Sequence, residues 1–225
     1  MSVLDEIERW ARSEFETRNA AREQALSQSR ELTRTCANTI RAVHRRDYEQ
    51  ARALLDRAKV LSDGLSENLR PYPDLFYTGY VQDAQKEYVE ANATFSLVSG
   101  SPMPSPQEIG VAAAPFLNGL AETVGELRRF VLDKLRRGEL DGSETLLQTM
   151  DDIYSLLVTI DYPDALTGGL RRTTDLARGI LERTRGDLTF ALRQQELETS
   201  LTRVEQQIQR TLRGTAGTED GGGPA

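Results

Sequence analysis

One cysteine, one histidine and one tryptophan among 225 residues leave little for several kinds of chemistry to work with. The lone Cys36 excludes an internal disulfide and any multi-cysteine zinc site, and the lone His44 excludes two-histidine metal or catalytic arrangements. What remains for chemistry is carboxylate, hydroxyl and arginine. No window approaches the run of about 18 apolar residues that crosses a bilayer. The opening MSVLDEIERW is polar and acidic rather than a signal peptide, so the expectation is a soluble, cytoplasmic protein without a membrane partner. Strand alternation, internal repeats and a glycine-rich phosphate loop are also missing.

Helical periodicity runs through almost everything else. The pattern predicts an all-α fold, a single-domain bundle of about six to seven helices over residues 1–213, with GTAGTEDGGGPA (214–225) a disordered tail by composition. Residues 2–46 read as one long helix. Asp47 can cap a second, DYEQARALLDRAKVLSDGL, which Gly64 is expected to stop. Pro71 and Pro73 break the chain before a helix over Tyr77 to Gly100, whose apolar face carries Tyr77, Tyr80, Val81, Ala84, Tyr88, Ala91, Phe95 and Val98. Ser105 and Glu108 have capping-box spacing. Pro115 restarts a helix that reaches Gly138, Ser143 can cap another, and Asp161 with Pro163 can start a last one from about 163 to 213. In that last helix Leu197, Leu201, Val204 and Ile208 form a short coiled-coil-like seam, suited to packing or to an oligomer contact.

The net charge of −7 argues against a polyanion as partner, but the distribution argues for one. Between residues 18 and 46 seven arginines stand against two glutamates. Leu32, Cys36, Ile40 and Val43 occupy one side of the first helix, while Arg30, Arg34, Arg41 and Arg45 cluster within about 60° on nearly the opposite side. Such a stripe is either a solvated face or a cradle for phosphates. His44 lies at the end of the same helix, where a structural or phosphate-contacting role suits it better than catalysis.

Carboxylates line up on two other helices. Asp83, Glu87 and Glu90 form a shoulder about 100° from the apolar centre of their helix, and Glu122 and Glu126 stack one turn apart on theirs. Stripes of this kind are commonly solvated faces. If the two helices pack antiparallel, the glutamates can instead close on a hard divalent ion, Mg²⁺ or Mn²⁺. Asp151 and Asp152 are adjacent, point in different directions and read as surface residues.

The segments SRELTRTCANTIRAVHRRDYEQARALL, QKEYVEANATFSLVSG, LAETVGELRR, MDDIY, DYPDA and LRRTTDLARGILERTRGDLTFALRQQELE together resemble the translin superfamily. The matching blocks span roughly residues 25–200, and their character is closest to translin-associated factor X, the catalytic side of that family. The resemblance implies a helical protomer assembled into a hollow octameric barrel. The family often pairs two different chains, but acids and basic face in one chain favour a homo-oligomer, a homo-octamer. It implies Mg²⁺-dependent endonucleolytic cleavage of single-stranded RNA inside the barrel, with single-stranded DNA a second candidate ligand. By position, the family's paired acids fall on Glu87 and Glu90 and on Glu122 and Glu126, as both metal ligands and catalytic residues. The family more usually has aspartate where Glu122 stands here, one methylene longer. Arg30, Arg34, Arg41 and Arg45 would line the inner surface and hold the RNA backbone. The rival reading is a non-catalytic single-stranded RNA- or DNA-binding barrel like translin itself, in which the acids are structural. A third is a helical scaffold that binds neither RNA nor metal.

Overall fold

The computed structural model describes residues 2–216. Along the chain come α1 (Val3–His44), α2 (Tyr48–Leu69), α3 (Pro73–Phe76), α4 (Gly79–Ser99), α5 (Pro106–Ile109), α6 (Ala113–Arg136), α7 (Ser143–Leu157), α8 (Asp164–Thr167) and α9 (Leu170–Ala216). Three of these are single turns, so six long helices carry the expected all-α bundle, and no strand occurs among the described residues. Of the tail expected from residue 214, positions 217–225 lie outside the described residues.

Two apolar clusters hold the bundle. In the first, Leu32, Cys36, Ile40 and Val43 of α1 meet Leu55, Leu65 and Leu69 of α2 and Val81, Tyr88 and Phe95 of α4. In the second, Leu120, Val124 and Leu127 of α6 meet Met150, Ile153 and Leu157 of α7 and Leu170 and Leu181 of α9. Helices α4 and α6 pack on each other and belong to both, since Ala93 of α4 joins the second cluster and Phe116 of α6 the first. The α4–α6 contact is therefore the seam between the two halves, and every predicted acidic residue of the site lies on one of these two helices.

Local signals set several of the helix starts. Asp47 caps α2, its Oδ1 accepting from the Gln50 amide at 3.1 Å. Ser105 and Glu108 close their capping box around α5. The sharp turn from α1 into α2 puts Arg46 at φ 62, a left-handed conformation that costs a residue with a Cβ about 1 kcal/mol. An ion pair from Arg46 to Glu139 and a guanidinium stacked over the Phe130 ring hold it there.

Four boundaries differ from expectation. Gly64 does not stop α2, which continues to Leu69 because Leu65 and Leu69 are fully buried and reward five more residues of helix. Ser143 is not a cap: Gly142, at φ 71, takes that position and Ser143 begins α7 buried. The last helix begins at Leu170 rather than near 163, because Gly168 and Gly169 at φ 62 and 84 end the short α8 first. Tyr77 precedes α4 and is 67% exposed instead of joining its apolar face.

Candidate metal centre

Gly119 decides how close the two acidic helices come. A Cβ at this position of α6 would stand 2.5 Å from the Lys86 carbonyl oxygen and 2.8 Å from the Val89 Cβ, both on α4. Only a residue without a side chain permits this approach, and one turn further along α6 it carries Glu122 up against α4. Carboxylate oxygens of Glu87, Glu90 and Glu122 consequently lie within 4.8 Å of one another.

Glu126, the fourth predicted acid, stands outside this group. Its Oε2 lies 2.5 Å from Nε2 of His44 at the end of α1 and 3.7 Å from the Arg129 guanidinium. Asp83, one turn before Glu87, is exposed and takes no place in the cluster.

The electrostatics of the cluster are those of crowded negative charge that a single ammonium, Lys86, compensates only in part. Glu90 is 9% exposed, and its carboxyl is pushed up to about 8, first by burial and then by the charges of Glu87, Glu122 and Glu126. Glu87 is raised for the same leading reason, with Lys86 opposing. Among the described residues neither carboxylate has a hydrogen bond or ion pair, whereas Glu122 Oε1 accepts from Lys86 Nζ at 2.8 Å. Burial lowers the Lys86 ammonium, but the hydrogen bond and charge of Glu122, with Asp83 and Glu87, outweigh it and raise it overall. Cys36 of α1 backs the site: burial, then the charges of Glu87 and Glu90, hold its thiol protonated. Three converging carboxylates, two of them unpartnered and one buried, fit a hard oxygen-seeking divalent ion of the Mg²⁺ or Mn²⁺ kind. They do not fit zinc, which favours nitrogen and sulfur.

The arginine stripe borders the same region. Three of the seven arginines between 18 and 46 are paired, Arg18 with Asp74, Arg22 with Glu23 and Arg46 with Glu139. The other four, Arg30, Arg34, Arg41 and Arg45, are exposed and form no ion pair among the described residues. Arg41 donates to Asn38 Oδ1 at 2.8 Å and Arg45 to Gln50 Oε1 at 3.0 Å. At 100° per residue, Arg30, Arg41, Arg34 and Arg45 lie about 120–180° round α1 from Cys36, beyond His44 on the same side. The stripe thus follows the flank of α1 that carries the contact to Glu126.

Sequence reasoning missed Lys86 and named no partner for His44. The position of Lys86, directly before Glu87 and one turn before Glu90, was a usable signal, because i and i+4 share a face. Nothing local indicated that His44 would meet a residue 82 positions away.

No family profile matches the chain. An uncharacterized protein of Methanocaldococcus jannaschii is 32% identical over 191 residues, 84% of this chain and 84% of that one. Among solved structures, the complex of AfC3PO with duplex RNA superposes with a TM-score of 0.76 at 37% identity, covering 81% of this chain and 95% of that chain. AfC3PO alone gives the same TM-score at 36% identity. Apo-NeC3PO shares the fold, with a TM-score of 0.74 at 21% identity over 85% of this chain and 98% of that one. Fold and likeness together define an all-helical C3PO-type protomer. The chain belongs to the translin superfamily.

Proposed function

We propose that this protein is a divalent-metal-dependent endoribonuclease that cleaves single-stranded RNA within a hollow octameric barrel of identical chains. The observation that carries the proposal is the convergence of Glu87, Glu90 and Glu122 beside a stripe of arginines that no carboxylate neutralises among the described residues. The 37% identity to AfC3PO, a protein solved with duplex RNA, supports RNA as the ligand class. Exposed apolar residues support assembly from several copies: Leu197, Leu201, Val204 and Ile208 on α9 are 54–60% exposed, and Leu4, Ile7, Trp10 and Phe15 on α1 are uncovered as well.

Each side chain has a task in this reading. Arg30, Arg34, Arg41 and Arg45 bind successive phosphates, a contact largely independent of sequence. Glu87, Glu90 and Glu122 would hold the ion, the longer Glu122 reaching across from α6. A divalent ion there supplies water activation at neutral pH and charge neutralisation at the phosphoryl group. Glu126, turned by His44 and Arg129, keeps one carboxylate fixed at the edge of the cluster.

The non-catalytic reading has one observation in its favour, the Lys86–Glu122 pair, which neutralises one acid as a structural ion pair would. Labelled single-stranded RNA incubated with and without Mg²⁺, beside the Glu90→Gln variant, separates the two. Endonucleolysis is expected only with Mg²⁺, and the variant should bind RNA but not cut it. Binding without cleavage by the unaltered protein would establish the non-catalytic reading, and a fully active variant would remove the glutamate cluster from the chemistry.

A further inference from the structure

Lys86 stands between two features of the molecule. Its ammonium is the only cationic group, among the described residues, that contacts a member of the three-glutamate cluster. Its side chain, 23% exposed, also lines a cleft of about 630 Å³ together with Gln82 and Asp83 on α4, Asn118 on α6 and Tyr77. Glu122 lines the same cleft.

The charge arrangement is unstable towards a divalent ion. An ion held by Glu87, Glu90 and Glu122 would bring two positive charges within a few ångströms of the ammonium on Glu122. Repulsion at that range, even strongly screened, exceeds what a partly exposed ion pair contributes. Lysine is suited to yield, because it bears a point charge on a flexible four-carbon stem rather than a planar fork that locks onto a carboxylate. The cleft gives the displaced side chain somewhere to go.

Building on the proposed metal-dependent function, we propose that Lys86 is a resident counter-ion that a divalent ion displaces from Glu122, and that the displaced ammonium takes up a phosphate of the nucleic acid entering along the cleft. Metal and strand then bind cooperatively through one side chain. Without metal, Lys86 stays on Glu122 and the cleft lacks its cation. With metal, the cation is free for phosphate. Linkage makes the effect reciprocal: a phosphate that draws Lys86 away must raise the affinity for the ion by the same factor.

Mn²⁺ binding followed by electron paramagnetic resonance, without nucleic acid, tests the first half. Lys86→Gln should bind Mn²⁺ roughly tenfold more tightly than the unaltered protein, because the competing charge is gone. Lys86→Ala should do the same, and circular dichroism would verify that both variants keep their helices. The second half is read by repeating the titration with a nuclease-resistant 2′-O-methyl oligonucleotide. The oligonucleotide should tighten Mn²⁺ binding several-fold in the unaltered protein and leave Lys86→Gln unchanged. Equal or weaker Mn²⁺ affinity in both variants would overturn the role of Lys86 while leaving the metal site standing. Absence of Mn²⁺ binding in the unaltered protein and both variants would overturn the metal reading itself, and this proposal with it.

Discussion

Nε2 of His44 and Oε2 of Glu126 lie 2.5 Å apart, joining the last turn of α1 to the middle of α6. The imidazole is 5% exposed, and its Nδ1 has no hydrogen-bond partner among the described residues. Its contact with Glu126 is thus its polar anchorage, and the same contact turns Glu126 away from the three clustered glutamates. His44→Ala should cost about 1–3 kcal/mol of stability in urea denaturation, the range for removing one partner of a part-buried hydrogen bond. In a double-mutant cycle with Glu126→Gln the losses should fall short of additivity by about 1 kcal/mol. Strict additivity would show that the two residues do not act as a pair.

Glu90 predicts an unusual dependence of stability on pH. Its ordinary value of 4.5 rises to about 8 in the folded protein. Between those values the folded state binds more protons than the unfolded one, so this group's contribution falls as pH rises and is lost once pH passes about 8. The unmetallated protein should therefore lose thermal stability relative to Glu90→Gln between pH 5 and pH 8, by on the order of a few kcal/mol. Mn²⁺ should restore the unaltered protein at pH 8 and do little for the variant. Parallel melting-temperature profiles for the two proteins would contradict the buried, charge-crowded environment assigned to Glu90.

What was legible in the chain depended on range. The caps at Asp47 and Ser105 are contacts over three residues, and the pairs Glu87–Glu90 and Glu122–Glu126 are spacings within one helix, so period and composition reveal them directly. Gly64 shows a local stop signal overruled by burial, since Leu65 and Leu69 pack too well for the helix to end. The Lys86–Glu122 and His44–Glu126 contacts join residues 36 and 82 positions apart, and no one-dimensional pattern carries them. The inward turn of Glu90 was equally hidden, because a residue on the shoulder of a helix becomes buried only when a neighbouring helix arrives over it.

That arrival depends on Gly119. Gly119→Ala places a methyl 2.5 Å from the Lys86 carbonyl oxygen and 3.2 Å from the Glu90 amide nitrogen, and α4 and α6 must separate to admit it. Overpacking of this kind costs about 1–3 kcal/mol, against at most about 1 kcal/mol gained from helix propensity. Mn²⁺ affinity should fall along with stability, because Glu122 moves with α6. Gly125→Ala is the matched control: on the same helix its Cβ would meet Ile180 Cδ1 at 3.9 Å, an ordinary contact, so stability should hold or rise. Equal effects at both positions would mean that the close approach at Gly119 does not shape the site.

The arginine stripe makes the last prediction, and it turns on which arginines are already occupied. Arg34 and Arg41 have no carboxylate partner among the described residues, while Arg57 on α2 is paired with Glu31 across the α1–α2 contact. A free guanidinium that binds a phosphate releases a condensed counterion from the nucleic acid, so each such contact steepens the fall of affinity with salt. Changing Arg34 and Arg41 together to Ala should weaken binding of single-stranded RNA similarly for all sequences and reduce the slope of log affinity against log salt by about 1.4. Arg57→Ala should leave the slope unchanged, because that charge is already spoken for. If the double variant binds RNA with undiminished affinity and slope, the stripe is a solvated face, and the strand must be held elsewhere on the protein.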